Sequence, residues 1–535
     1  MTNRWKGGVL WVLLCAGMGS ACSRELDDVV KVPVEQGPSH RLEDHGDWSA
    51  EPLAACPVLP AGSTSAACGT LESFDLSACS RDSLGAVRGA GIFTLHVIGN
   101  DIQTNDNSQG TGAVRILEDG RVLQDGVPFP ESRLDESTFF ASRGGTLPDG
   151  RAYRTSMVGC KAEGSTRMTG CFVNCLGGTP AFQGTFELEK VRRRDGEAEG
   201  SKLELVGEGV VPQGTVADVF VTKGHAYVVS LEDAFKGPGG LYVFDLADRE
   251  APRLVKNVFF PGDSYWNGVW AKDDALYVAS AARGLLVFDI SDPADPVLVS
   301  ALPGGGAVNV HTVFVAMDRL YAMSISPAPV TLIFDVKNAR EPVLLGRYAD
   351  PSVNPSVASF PHDATGWGNR LFVNHWRAGL LMLDVSDPAN VVKVGEYVYP
   401  RSTSHTNRWH YVNNRLIVFE GGEDWGAHVR AIDMTDPKDP ILVGEYRLTP
   451  GVSVHNMELK GNRLYLSHYQ HGVRVLDVSR PSEMKEVAYY NTWRETDRAR
   501  GLMFFDGAIG VRIPDDGYVY VIDTSRGLLI FEEVE

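Results

Sequence analysis

Positive charge is scarce in this sequence: 50 Lys and Arg against 68 Asp and Glu leave a formal charge of -18. A nucleic-acid partner needs a basic footprint for its phosphates, and none is present; Arg192-Arg193-Arg194 is one short run that reads as a solvated turn. The apolar run near the N-terminus, Val9 to Met18, is too short to span a bilayer. There is no Gly-x-Ser-x-Gly elbow, phosphate loop, dinucleotide fingerprint or His-Glu-x-x-His, so the main hydrolase, kinase and dehydrogenase templates lose support. Cysteine is missing altogether after Cys175.

What is there begins with a leader. Arg4 and Lys6 precede the apolar run, and Gly19, Ser20 and Ala21 follow it before Cys22. A charged start, a short apolar stretch and a small-residue site mark residues 1–22 as a signal peptide. The site resembles that of bacterial lipoproteins, which implies lipidation of Cys22, with Ser23 pointing to the outer membrane on its periplasmic or cell-surface side. Gly19 departs from that motif, which usually has an aliphatic residue there. The membrane would be touched only through this lipid. Export gives the other cysteines a meaning. Cys56, Cys68, Cys79, Cys160, Cys171 and Cys175 are an even set in an oxidising compartment, hence three disulfides, with fifteen connectivities open. The spacing of Cys171 and Cys175 also suits a metal pair, but no thiol-rich partner accompanies it.

Residues 23–88 read as a tether and a Cys-rich segment. Residues 89–200 carry alternating runs such as Ile92 to Ile98, divided by Asp119-Gly120, Asp125-Gly126 and Asp149-Gly150, and predict a small β-rich domain. From 201 to 535 one pattern returns: Gly284-Leu285-Leu286-Val287-Phe288-Asp289-Ile290-Ser291-Asp292-Pro293, with variants ending at Asp245, Asp335, Asp384, Asp433 and Asp477. Units of this length cannot bury their own apolar faces and must stack. Four strands per unit are predicted, in the third unit at 311–316, 319–324, 330–336 and 342–348. Three-strand sets occur seven times, and the last lacks an outer strand. Leu203-Glu204-Leu205-Val206-Gly207-Glu208 copies the outer strand at Ile441 to Tyr446. The prediction is therefore an all-β, seven-bladed β-propeller closed by an N-terminal outer strand. The repeated Asp reads as an Asx turn rather than a calcium ligand, since no EF-hand ladder accompanies it.

These repeats resemble those of the bacterial LVIVD-repeat propellers, found in surface and secreted proteins. The stretch Val487 to Trp493 followed by Gly507 to Val511 looks like the last-blade signature of the same family. The resemblance implies the fold and no settled activity.

Two registers of polar residues line up across the units. First strands align Asp218, Asn267, His311, His362, Asn407 (with His405 just before it), His455 and Gly510. Three residues beyond the second-strand aromatic stand Ser230, Ser280, Ser324, His375, Glu420, His468 and Asp523. Equivalent propeller positions lie on a circle, so His311, His362, His375, His405, Glu420, His455 and His468 are the candidate metal cluster, with His455, His468 and His362 foremost. Imidazole and carboxylate suit a divalent transition metal, Zn, Fe or Cu. Asp363, Glu420 or Asp523 would orient the far ring nitrogens. Structural histidines that cap strands are the competing reading. Trp266, Trp367, Trp376, Trp409, Trp425 and Trp493 suggest rim contacts or inter-blade packing. The expected function is a monomeric binding or scaffolding module presenting its rim to a protein or glycan, with catalytic residues unknown. The alternative is a metal-dependent hydrolase or oxidoreductase at the channel mouth.

Overall fold

Short apolar strands separated by Asx turns organise the chain from residue 203 onward. In the computed structural model, which describes residues 40–60, 66–104, 107–304, 306–353 and 359–534, they form seven antiparallel sheets. Blades 1 to 6 span 215–258, 266–302, 309–348, 364–397, 404–446 and 457–490. Blade 7 joins Ala508–Arg512, Tyr518–Asp523 and Gly527–Glu533 to the early strand Leu203–Gly209, which pairs antiparallel with the last. A two-residue strand, Gly200–Ser201, is added to the edge of blade 6. The inner strand of each blade packs on that of the next, and those of blades 7 and 1 also touch. The structure is a seven-bladed β-propeller. The predicted signal peptide, Cys22 and the part of the predicted tether before residue 40 lie outside the described residues.

Each middle strand is sandwiched between two neighbouring blades, which explains its unbroken apolar run. Leu285, Leu286, Val287 and Phe288 are all fully buried. At about 1.5–3 kcal/mol for each large apolar side chain buried, these strands supply most of the drive to stack. Outer strands meet solvent, and Val297, Val343 and Val392 are exposed there. The repeated aspartates form Asx turns: Asp245, Asp289, Asp335, Asp384, Asp433 and Asp477 each accept the backbone N–H two residues on.

Residues 91–190 build a nine-stranded antiparallel sheet rather than more blades. Its two edge strands, Val127–Pro128 and Glu131–Asp135, are separated by only two residues, so the sheet curls until its edges approach. Phe93, Phe139, Met168 and Phe186 fill the interior. Three disulfides, Cys56–Cys171, Cys68–Cys175 and Cys79–Cys160, pin the preceding segment to it. The sheet rests on the propeller through Gln109, which donates to Asp424, through His96 stacked 5.0 Å from Trp425, and through Glu189, which accepts from Gly451 N at 2.8 Å.

Candidate metal centre

The site starts from a defect in pairing. In blade 3, Val310 pairs with Ser324 and Thr312 with Met323, so His311 is left unpaired in a β-bulge. In blade 5, Ser404 pairs with Gly422 and Thr406 with Gly421, which leaves His405 in the same role. Asn267 is the bulged residue of blade 2. A bulge turns its side chain away from the strand's alternation, here toward the propeller axis. His362 and His455 take the equivalent positions in blades 4 and 6, where their N–H groups donate to Asn374 O and Ser467 O. Four consecutive blades thus each send one imidazole to the same place.

The rings form a chain. Centroids lie 4.3 Å apart for His311–His362, 3.9 Å for His362–His405 and 4.3 Å for His405–His455. His311 Nε2 and His362 Nε2 are 2.8 Å apart. One metal ion bound at roughly 2.1 Å by each would hold two such nitrogens about 3.0 Å apart at a 90° angle and about 3.4 Å apart in a tetrahedron. His362, Asp363 and His405 present ligand atoms within 4.8 Å of one another, and so do His405, Glu423 and His455. His455 donates from Nδ1 to the carbonyl of Ile509, which fixes the tautomer and leaves the Nε2 lone pair free. Both ring nitrogens of the fully buried His405 lack a hydrogen-bond partner among the described residues. Glu423 Oε2 stands 3.5 Å from its Nε2, and Glu423 Oε1 the same distance from His455 Nε2.

The electrostatics prepare these groups for a cation. Burial, and then the neighbouring imidazoles, depress His311 and His405 well below the usual histidine range. Burial holds His455 at about 4. These rings are therefore neutral near pH 7, the state in which imidazole ligates metal. Burial pushes Glu423 up to about 7, although the hydroxyl of Tyr469 donates to it. Burial would also raise Asp363, but His362, His455 and Arg408 overcome it and leave that carboxyl lowered. Asp363 Oδ1 lies 3.4 Å from His362 Nδ1, a buried nitrogen with no hydrogen-bond partner among the described residues. Against the rings of His362, His405 and His455 lies a cavity of about 50 Å³, lined also by Asp218, Asn267, Asp363, Arg408 and Arg512. Glu458 holds both of these arginines, accepting from Arg408 at 3.2 Å and from Arg512 at 2.6 Å. The residues fit a divalent transition metal, Zn, Fe or Cu.

Of the seven predicted ligands, the structure brings together His311, His362, His405 and His455. The other three face elsewhere. His375 and His468 open tight turns, closed by His375 N to Gly379 O and His468 N to Gly472 O at 2.7 and 2.8 Å. The ring of His375 meets Ser359, and that of His468 lies 5.2 Å from His471. Glu420 accepts from Tyr399 and lies 3.7 Å from Arg430. Asp523 binds Thr492 and Arg500. Cys56, Cys79 and Cys160 also cluster, but every one is in a disulfide and none is a thiolate ligand.

The sequence did not single out Tyr469 or Glu423 and marked Trp376 only as one of six tryptophans at the rim or between blades; all three stand one position further along. Trp376 and Tyr469 follow His375 and His468, with φ of 43° and 36°, and bridge to Ser404 and Ala508 of the next blade. This left-handed turn swings their rings onto the site, Trp376 5.4 Å from His362 and Tyr469 5.0 Å from His455. Glu423 occupies the matching position in blade 5, because Gly422 pairs with Ser404 as Ser280 pairs with Trp266 in blade 2. The available signal was the aromatic after each histidine in His375-Trp376 and His468-Tyr469. Of the other tryptophans, Trp266, Trp425 and Trp493 are buried packing residues, and Trp367 is 64% exposed.

No curated protein matches this sequence. Among solved structures, the computationally designed Ika8 protein covers 61% of this chain and 99% of its own, with 10% identity and a TM-score of 0.43. The WD40 β-propeller domain of Doa1 covers 62% of this chain and 97% of its own, with 11% identity and a TM-score of 0.45. The LVIVD repeat matches this chain in three segments, residues 264–302, 367–398 and 452–492.

Proposed function

We propose that the protein is a metal-dependent enzyme whose divalent ion sits on the propeller axis between His311, His362, His405 and His455. The observation that carries this is His405: a fully buried imidazole with both nitrogens unpartnered among the described residues, flanked by two more rings and a carboxylate. Leaving such atoms unpaired costs about 1–3 kcal/mol each, a cost that coordination removes. The bound ion would supply Lewis-acid or redox chemistry. Glu423, 3.5 Å from both His405 and His455, is the carboxylate placed to accept a proton from a group bound beside the ion, and the hydroxyl of Tyr469 holds it in place. A rigid ring with loops at both ends is also consistent with a binding or scaffolding role. That role requires no converging imidazoles, which is why the catalytic reading is preferred here.

Metal analysis of the protein prepared without a histidine tag tests this. The expected result is near-stoichiometric transition metal, lost in a His362→Ala, His405→Ala variant. Iron or copper would supply redox chemistry as well as Lewis-acid chemistry, and zinc the latter alone; protein that takes up none of the three overturns the proposal.

We also propose export with a lipid on Cys22, supported by the three disulfides, which persist in oxidising compartments. Fractionation of cells should find the protein with the outer membrane, and Cys22→Ala should release it.

A further inference from the structure

The nine-stranded sheet covers only one side of the candidate metal centre. Its contacts fall on Asp424 and Trp425 of blade 5, on Gly451 between blades 5 and 6, on Gly501 and Leu502 between blades 6 and 7, where they meet Ile92 and Gly126, and on Phe235 of blade 1, which also meets Gly126. On the opposite side, toward blades 2 to 4, stand His311, Asn267, Phe360 and Trp376, each only half-buried, and Tyr265, which is exposed. Among the described residues, the approach to the rings is therefore from that side.

This side is paved with flat rings. Phe360 and Trp376 stack 5.4 Å apart at 13°, Trp376 and His362 5.4 Å apart at 22°, and Phe360 lies 6.0 Å from His362 at 34°. Trp376 reaches this pose through its left-handed φ of 43°, a conformation a bulky residue adopts only where its surroundings enforce it. At the far end of the pavement are the four imidazoles and Glu423. A ligand that suits both ends has a flat aromatic body for the pavement and an oxygen donor for the ion.

We propose that Phe360 and Trp376 form the substrate wall of this site and that the substrate class is phenolic, with a catechol, whose two adjacent oxygens can chelate, as its best-held member. The inference rests on the metal-site reading above and deepens it. The wall residues touch the ring of the ligand and are specificity residues, not metal ligands. Glu423, 3.5 Å from both His405 and His455, stands beside the end of the wall where the oxygens of the ligand would sit.

Titration calorimetry of the full-length, metal-loaded protein tests it, with catechol and its saturated counterpart cyclohexane-1,2-diol as probes. Catechol should bind about tenfold more tightly, as expected for ring stacking beyond simple burial. In Trp376→Leu and in Phe360→Leu the preference should fall below about threefold, with metal content unchanged, and Trp376→Phe should keep it. Quenching of tryptophan fluorescence by catechol should weaken in Trp376→Phe, which retains binding. Equal affinity for the two probes, or a preference that survives both leucine variants, overturns the inference while the metal reading stands. Failure of the wild-type protein to take up metal overturns both.

Discussion

At the scale of the residue, His405 shows what the site costs the fold. Its bulged backbone sends an imidazole into a fully buried position where neither nitrogen is satisfied by another described residue. Stability alone would place an apolar ring there. His405→Phe should therefore raise the urea midpoint of the metal-free protein, by about 1 kcal/mol in stability, and at the same time abolish stoichiometric metal binding. A destabilised metal-free variant would mean that the imidazole is a structural donor after all. The four site histidines were legible in the sequence because the repeat aligns them, with one slip. The first hairpin of blade 5 is two residues longer on each strand, between the bulge and the turn, so Asn407 rather than His405 fell into register, and the true equivalent stood just before it. The same insertion hid Glu423 behind Glu420. His375 and His468 misled for a different reason: a left-handed residue after each one turns the following aromatic, not the histidine, toward the axis. Alternation along a strand predicts side-chain direction only until such a turn.

At the scale of the element, residues 40–48 act as a strap on blade 5. Leu42 N donates to Leu442 O along the outer edge, and Arg430, wholly buried, holds Asp44 at 2.8 Å and Asp47 at 2.7 Å. His428 lies 3.1 Å from Asp47, and the Arg430 guanidinium sits 3.6 Å over Tyr399. Nothing in the sequence marked this strap, because Asp44 and Asp47 are surrounded by polar residues without periodicity, and ion pairs 386 and 383 residues apart leave no local pattern. Glu420 closes the cluster, and burial pushes it up to about 7 from 4.5 despite Arg430. Between those two values the folded chain holds a proton that the unfolded chain has released, so rising pH favours unfolding through this group. Its contribution is fully present below pH 4.5 and is lost as pH passes 7, roughly 3 kcal/mol in all. The stability of wild type minus that of Glu420→Gln, measured by urea melts from pH 4 to pH 8, should fall across this window. A difference independent of pH would show that Glu420 is ionised in the folded protein throughout.

At the scale of the whole molecule, the ring and its cover are held by different means. The seven blades contain no cysteine and depend on stacked apolar strands, and the pattern that builds them repeats, which is why the blade count and the third blade's strands were legible. The strand Leu203–Gly209 pairs with the final strand, as its likeness to an outer strand predicted. The cover was legible only as a β-rich segment, since the residues seating it on the propeller, His96, Gln109 and Glu189, are scattered and follow no period. Its disulfides join residues 115, 107 and 81 apart, spans at which each cross-link contributes on the order of 4–5 kcal/mol in the chain-entropy view. Reduction should therefore weaken the cover and spare the ring. Under a thiol reductant, limited proteolysis should cut within 91–190 many times faster than in the oxidised protein, while a fragment from about residue 200 onward stays resistant. That fragment should keep its metal, because His311, His362, His405 and His455 all lie on the blades, and it should admit larger phenols past blades 5 and 6, where the sheet had stood. If the blades are cut as fast as the sheet, the two parts share one cooperative core, and the sheet is a structural member of the propeller rather than a cover beside its mouth.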